Sequence, residues 1–211
     1  MKLKYLGTAA YEGIPAIFCK CNTCKKSRQA GGKNIRTRSQ AIVDDCLLID
    51  FPPDTFIHGL MYGIDLADIK TCIITHDHSD HYYPADFTAR TPGYGVVDEN
   101  SVFTIYGTAP TIEKFHNIET NDRWSAGKYL DAKTVTPFVP FEVEGYKITP
   151  LKASHAPKCE PIFYAIEKDG NAILYAHDTG YFPEETWQYL KEMDIAFDLV
   201  SLDCTGYIFP W

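Results

Sequence analysis

The stretch THDHSDH, residues 75–81, holds three of the chain's seven histidines and two carboxylates in seven positions. His76 and His78 are two apart, so in extended backbone their rings leave the chain on the same side. Asp80 and His81 follow as the chain turns and can face a second point nearby. Imidazole and carboxylate donors at this density suit zinc, or a harder ion such as manganese or iron. One loop seldom completes a hydrolytic site, and further donors come later: His155 in LKASHAP and Asp178 in AILYAHDTG, each just after a run of strand-forming residues. Together these are what a two-metal centre needs. A carboxylate can bridge two ions, and the ions can share a hydroxide nucleophile while stabilising charge on substrate oxygens.

A second donor group stands near the start. GIPAIFCKCNTCKKSR places Cys19, Cys21 and Cys24 in a C-x-C-x-x-C arrangement, in a predicted loop after the first strand. Three thiolates so close can hold a structural zinc with a fourth ligand from elsewhere; the alternative is three reduced thiols without an ion. Arg36 and Arg38 in NIRTRSQ can meet a substrate phosphate through bidentate guanidinium pairing, or form a solvated basic loop. Cys46 and Cys72 lie in apolar strands and are expected in the core. His58 and His116 fall in or beside predicted helices as ordinary surface or core residues.

Rigid elements must hold these groups. Short β-branched and apolar runs predict strands at KLKYLG, SQAIVDD, CLLID, TCIIT and VFTIYG. VTPFVPFEVEGYKITPLKAS predicts strands broken by prolines. IFYAIEKDGNAILYAHDT predicts a hairpin around Lys-Asp-Gly-Asn, and DLVSLDC a further strand. Helices are fewer: DTFIHGLMYG behind an Asp54 N-cap, TAPTIEKFH, and FPEETWQYLKEM with Pro183 and acidic residues in its first turn. HNIETNDRWSAGKYLDAK is the most polar stretch and is expected to be a surface excursion. The pattern predicts an α/β sandwich with its chemistry on loops at strand ends.

At 211 residues the chain suits one domain, spanning 1–211, with 45% hydrophobic residues to build a core. The net charge of −8 argues against broad nucleic-acid binding. No apolar stretch suits a signal peptide or a membrane span, so the expected compartment is the cytosol, where cysteines serve as thiols or metal ligands more readily than as disulfides.

These motifs resemble a known family. THDHSDH is similar to the His-x-His-x-Asp-His signature of the metallo-β-lactamase superfamily, and its ordered companions are present: LLIDFPPD with Asp50, then ASHAP, then HDTG. The resemblance implies an αββα sandwich. It implies that His76, His78 and His155 hold one metal and Asp80 and His81 a second, with Asp178 bridging, Asp50 supporting, and Asp80 also the catalytic candidate. Zinc is the expected ion, with manganese or iron as alternatives. LGTAAYEGIPAIFCKCNTC, then RTRSQAIV and LLID, resembles the PhnP-like branch, which contains a phosphoribosyl cyclic-phosphate phosphodiesterase. The implied activity is a metal-dependent phosphodiesterase acting on a small or cyclic phosphate ester through a dinuclear centre and a bridging hydroxide. Two alternatives remain: a non-catalytic accessory protein of PqqB type, which shares the cysteine loop, and a nuclease of the transfer-RNA processing type.

Two departures from the family pattern stand out. His177 occupies a position where the family more often has a small residue; it either supports the site or points away along the strand. Family chains normally continue past the LVSLDC strand and deliver further histidines to both metal sites. The sequence shows TGYIFPW there, so the expectation is a fold lacking its C-terminal helix-strand unit. The sheet edge so exposed would invite a homodimer.

Overall fold

Strand alternation builds two sheets that face each other. The protein's structure, a computed structural model, describes residues 1–98, 101–118 and 128–203. The first sheet joins β1 (Leu3–Gly7), β2 (Gln40–Val43), β3 (Leu47–Ile49), β4 (Thr71–Ile73), β5 (Phe103–Gly107) and β6 (Leu130–Thr134), in that order. The second runs β11 (Leu199–Leu202), β10 (Asn171–Ala176), β9 (Ile162–Lys168), β8 (Tyr146–Lys152) and β7 (Phe141–Val143). In the first sheet β3 to β6 pair in parallel, whereas β7 to β10 form an antiparallel meander. The meander's hairpin turns on Asp169 and Gly170, both at positive φ (51° and 76°), the backbone that a tight two-residue turn requires.

Period-two side-chain placement explains the layers. Ala41, Val43, Ile49 and Ile73 face Tyr146, Ile148, Tyr164 and Ile166 across the sandwich. Their neighbours Ile42, Leu48, Cys72 and Ile105 turn outward and are still buried, under Phe51, Phe87 and Phe115. On the far side Leu151, Phe163, Ala165 and Leu174 pack beneath Tyr189, Leu190 and Met193. Strands buried on both faces read as near-continuous apolar runs, which is why QAIV, LLI and TCI were legible. With helices α2 (Thr55–Tyr62) and α3 (Ala109–His116) belonging to the first sheet's connections and α4 (Glu184–Glu192) covering the second, the architecture is the predicted αββα sandwich.

Several local expectations are corrected. Asp54 precedes α2 but does not cap it; its carboxylate accepts from the Arg38 N–H (2.9 Å) and pairs with the Arg38 guanidinium (3.2 Å). Pro183 stands just outside α4, whose first turn begins with Glu184 and Glu185. The polar stretch taken as a surface excursion ends in a strand, β6, and its residues 119–127 lie outside those described. The cysteine segment is not all loop: α1 (Asn22–Ala30) starts inside it, with the Cys21 sulfur accepting the Cys24 N–H at 3.4 Å. The expectation about the C-terminus concerns residues 204–211, also outside the described residues.

Candidate metal centre

Four strand ends meet at one rim of the sandwich. Asp50 follows β3, His76 follows β4, His155 lies just past β8, and Asp178 just past β10. The two sheets are tied together there: the Ile162 N–H donates to Thr75 O (2.9 Å), and the Tyr164 hydroxyl donates to Ile74 O (2.7 Å). Asp50 and Asp178 both take positive φ, 66° and 53°. Such left-handed non-glycine residues are uncommon, and they turn each carboxylate off its strand toward the rim.

Asp178 is the hub. Its Oδ2 lies 3.4 Å from Nε2 of His76, 3.4 Å from Nε2 of His81 and 3.3 Å from Nε2 of His155. The His155 Nε2 is in turn 3.1 Å from His78 Nδ1. His76, His78, His155 and Asp178 each offer an atom within 4.8 Å of all the others. His81 adjoins this group through Asp178, and Asp80 is reached through His81, at 3.8 Å. Thus the fold gathers the six sequence-predicted residues as one group of four with a second pair beside it.

Support comes from behind. Asp50, fully buried, accepts from the Thr75 N–H (2.8 Å), the Thr75 hydroxyl (2.9 Å) and His81 Nδ1 (2.7 Å). A carboxylate only accepts, so the proton is on Nδ1 and the other nitrogen of His81 faces Asp178. Burial pushes the His81 imidazolium down, but the Asp50 charge and the bonds to Asp178 and Asp50 overcome it, raising the pKa to about 10. Burial likewise opposes ionisation of Asp178. The bond from His81 and the positive field of His81 and His155 outweigh that and hold its carboxyl well below the usual range.

His76 tests whether a cation fits. Burial lowers its pKa, so the ring is neutral near pH 7. The Thr75 hydroxyl spends its one proton on Asp50 and therefore accepts from His76 Nδ1 at 3.1 Å. The bare lone pair of Nε2 then points, buried and without a hydrogen-bond partner, at the Asp178 carboxylate. Two electron-rich atoms facing each other at this distance repel unless a cation lies between them. The donor spacings of 3.1–3.4 Å also match the edges, about 3.4 Å, of a tetrahedron built on ~2.0–2.1 Å metal–ligand bonds. The donor set fits a divalent metal.

The remaining candidates separate. His177 does not join the cluster; it is buried, 2.7 Å from Ser201 Oγ, and stacks on Tyr175 at 4.1 Å. His58 is buried between Thr37 Oγ1 (2.6 Å) and Gln40 Oε1 (2.5 Å). Cys46 is half-buried rather than fully in the core, and Cys72 is buried. The Cys19, Cys21 and Cys24 sulfurs, all unoxidised, lie within 4.8 Å of one another. The Cys24 N–H and neighbouring thiols bring the Cys21 thiol down to about 7. Two contributors escaped the sequence reading. Thr75 orients two histidines at once, and only its place next to the cluster hinted at this. Lys114, from α3, donates to the carbonyls of Asp77 and Tyr82 (the latter 3.2 Å) and so holds the histidine loop from below; no spacing in the sequence signalled it. Beside the cluster, a 340 Å³ cleft is walled by His81 and Asp178 on one part and by Tyr5, Glu12 and Arg36 on another.

The chain is similar to known proteins in sequence and in fold. The family profile described as "Beta-lactamase superfamily domain" matches residues 47–208. A curated relative, exodeoxyribonuclease YycJ of Bacillus anthracis, is 27% identical over 132 residues, 61% of this chain and 43% of its own; the chain spans less than half of that relative's length. Among solved structures, zinc-bound PqqB of Methylobacterium extorquens superposes with a TM-score of 0.74 at 21% identity, covering 96% of this chain and 72% of PqqB. A diphosphatase from the PhnP family gives 0.68 at 20% identity, covering 94% of this chain and 72% of the diphosphatase. At these identities the structural likenesses speak for the fold.

Proposed function

The chain belongs to the beta-lactamase superfamily domain family, and from that premise we propose that it is a metal-dependent phosphodiesterase acting on a small or cyclic phosphate ester through a two-ion centre. The observation that carries this reading is the position of Asp178 Oδ2, about equally far from histidine nitrogens on two sides. His76, His78 and His155 would hold one ion, Asp80 and His81 the other, and Asp178 both. Divalent ions there would supply Lewis-acid stabilisation of the phosphoryl oxygens and a nucleophile drawn from water at neutral pH. Asp50 fixes the His81 ring with Nε2 toward Asp178, and Thr75 fixes the His76 ring likewise, so both rings are oriented before an ion arrives. The adjoining cleft admits a small ester from one side. Zinc is the proposed ion, and Cys19, Cys21 and Cys24 are proposed to hold a separate structural zinc. Likeness in fold to a PhnP-family diphosphatase supports the phosphoester class.

The match to an exodeoxyribonuclease favours a second reading, cleavage of a nucleic-acid phosphodiester by the same centre. The net charge of −8 weighs against it. One experiment tests both: metal content per chain, then hydrolysis of bis-p-nitrophenyl phosphate and of single-stranded DNA by protein loaded with zinc or manganese. Turnover of the small diester with little on DNA supports the first reading. The reverse supports the second, and bound metal with neither activity supports an accessory role.

A further inference from the structure

Asp178 keeps its place through its neighbours in the chain, and one of them departs from the family pattern. Its backbone is left-handed, with φ of 53°, a state that a non-glycine residue holds only where the surroundings over-determine it. Downstream the tie is to the His155 loop. Thr179 Oγ1 accepts the Ser154 N–H (2.9 Å), and the Gly180 N–H donates to Ser154 O (2.8 Å).

Upstream stands His177, only 7% exposed. Its Nε2 lies 2.7 Å from Ser201 Oγ, which in turn lies 2.6 Å from the Tyr5 hydroxyl. Its Nδ1 lies 3.4 Å from Ser39 Oγ. The ring stacks on Tyr175 at 4.1 Å, and the Tyr5 ring lies parallel to it, 6.0 Å away. Tyr5 belongs to β1 and Ser201 to β11, each the end strand of its sheet among the described residues. The bridge from Tyr5 through Ser201 to His177 therefore joins the two sheets beside the cluster. None of these bonds uses an atom of the six metal-ligand candidates.

We propose that His177 is a positioning residue of the metal centre: by fastening the exit of β10 to both sheets, it sets the Asp178 carboxylate at the point three histidine nitrogens share. The proposal rests on the reading of Asp178 as a shared metal ligand and adds the residue through which the fold controls it. A small side chain at 177 could not do this. Alanine would leave Ser201 without its imidazole partner and a ring-sized void against Tyr175, freeing the turn that carries Asp178. Any shift of Asp178 Oδ2 alters its distance to all three nitrogens at once.

The test measures zinc affinity of the full chain, with zinc buffered by a chelator. Binding is read from the ring-nitrogen magnetic resonance signals of the histidines, so zinc at the cysteine sulfurs is not counted. His177→Ala should weaken zinc binding at least about tenfold, the lower end for losing an outer partner, with the far-ultraviolet dichroism kept. His177→Gln, whose amide stands near the place of Nε2, should recover part of the loss. A double-mutant cycle then separates positioning from plain stability, because a residue that acts through Asp178 loses its effect once Asp178 is altered. In an Asp178→Asn background, His177→Ala should change the affinity by less than about twofold. A loss of equal size in both backgrounds, or an affinity within about twofold of wild type in His177→Ala alone, overturns the proposal. Should His177→Ala fail to fold, Ser201→Ala, which removes one bond and keeps the ring, takes its place in the cycle under the same criteria. A wild type whose histidine signals do not move at saturating zinc overturns the metal-centre reading itself, and this proposal with it.

Discussion

The histidine–aspartate cluster and the cysteine cluster bring comparable sets of donors together, but they are built in opposite ways. The first stands on four strand ends from both sheets, with His76, His81 and Asp50 buried and the His76 and His81 rings braced by Thr75 and Asp50. The second lies within six residues of one segment, Cys19 to Cys24. It is braced mainly by its own turn: Cys19 and Cys21 accept backbone N–H groups at 3.4 Å, and Arg28 donates to Cys19 O at 3.0 Å. Long-range assembly gives preorganisation and a dry, tunable site. Local assembly gives a clip that any small fold can carry. The comparison predicts that damage to the first region spreads through its network, whereas damage to the second stays local.

Asp178→Asn should have the largest effect. It removes charge from the atom that three histidine nitrogens share, so both ion positions weaken together. Phosphodiesterase activity should fall by more than the ~10–100-fold typical of losing an outer partner, with the far-ultraviolet dichroism of the fold intact. Near-normal turnover in this variant would show that Asp178 is not the hub. Asp50→Asn comes next. It keeps the side-chain shape but weakens the brace behind His81, and should cost about 10–100-fold in metal affinity, measured by competition with a chelating dye.

Much of this was legible in the sequence, for a physical reason. The central strands β2, β3 and β4 are buried on both faces, so they read as largely apolar runs, and Asp50 and His76 stood just past where two of those runs stopped. The misses had the opposite character. NTCKKSRQA forms α1 with only Cys24 and Ser27 buried, so no apolar stripe announces a helix. LDAKT forms β6 although only Leu130 is fully buried. Asp54 looked like a cap because its partner, Arg38, lies 16 residues away and could not be paired with it by spacing. Lys114 belongs with these misses: α3 brings it under a loop more than thirty residues earlier in the chain.

Lys114→Met sharpens the comparison further. Two carbonyls of the histidine loop, Asp77 and Tyr82, lose their donor, while the apolar stem that spans the half-buried site is kept. At about 1 kcal/mol for a hydrogen bond, zinc affinity at the cluster should fall by roughly fivefold to thirtyfold. Lys114→Arg should restore part of it. Affinity unchanged in Lys114→Met would mean that strand ends alone position the loop.

Cys21→Ser should have the smallest effect on hydrolysis, and it is the sharpest test of the comparison. Cys21 is exposed, it belongs to the sulfur group, and among the described residues it shares no hydrogen bond with the histidine–aspartate cluster. Hydroxyl oxygen is a poor substitute for thiolate toward zinc, so a sulfur-bound ion should be lost. Mass spectrometry of the native protein should then register one ion fewer per chain, and the melting temperature should fall because that ion ties the start of α1 to the preceding loop. The diester hydrolysis rate of metal-loaded protein should stay within about twofold at a temperature well below melting. A proportionate loss of both ion content and rate would show that the two regions are coupled. An unchanged ion count would show that the three sulfurs hold no metal, leaving them as the reduced thiols that their spacing also allows.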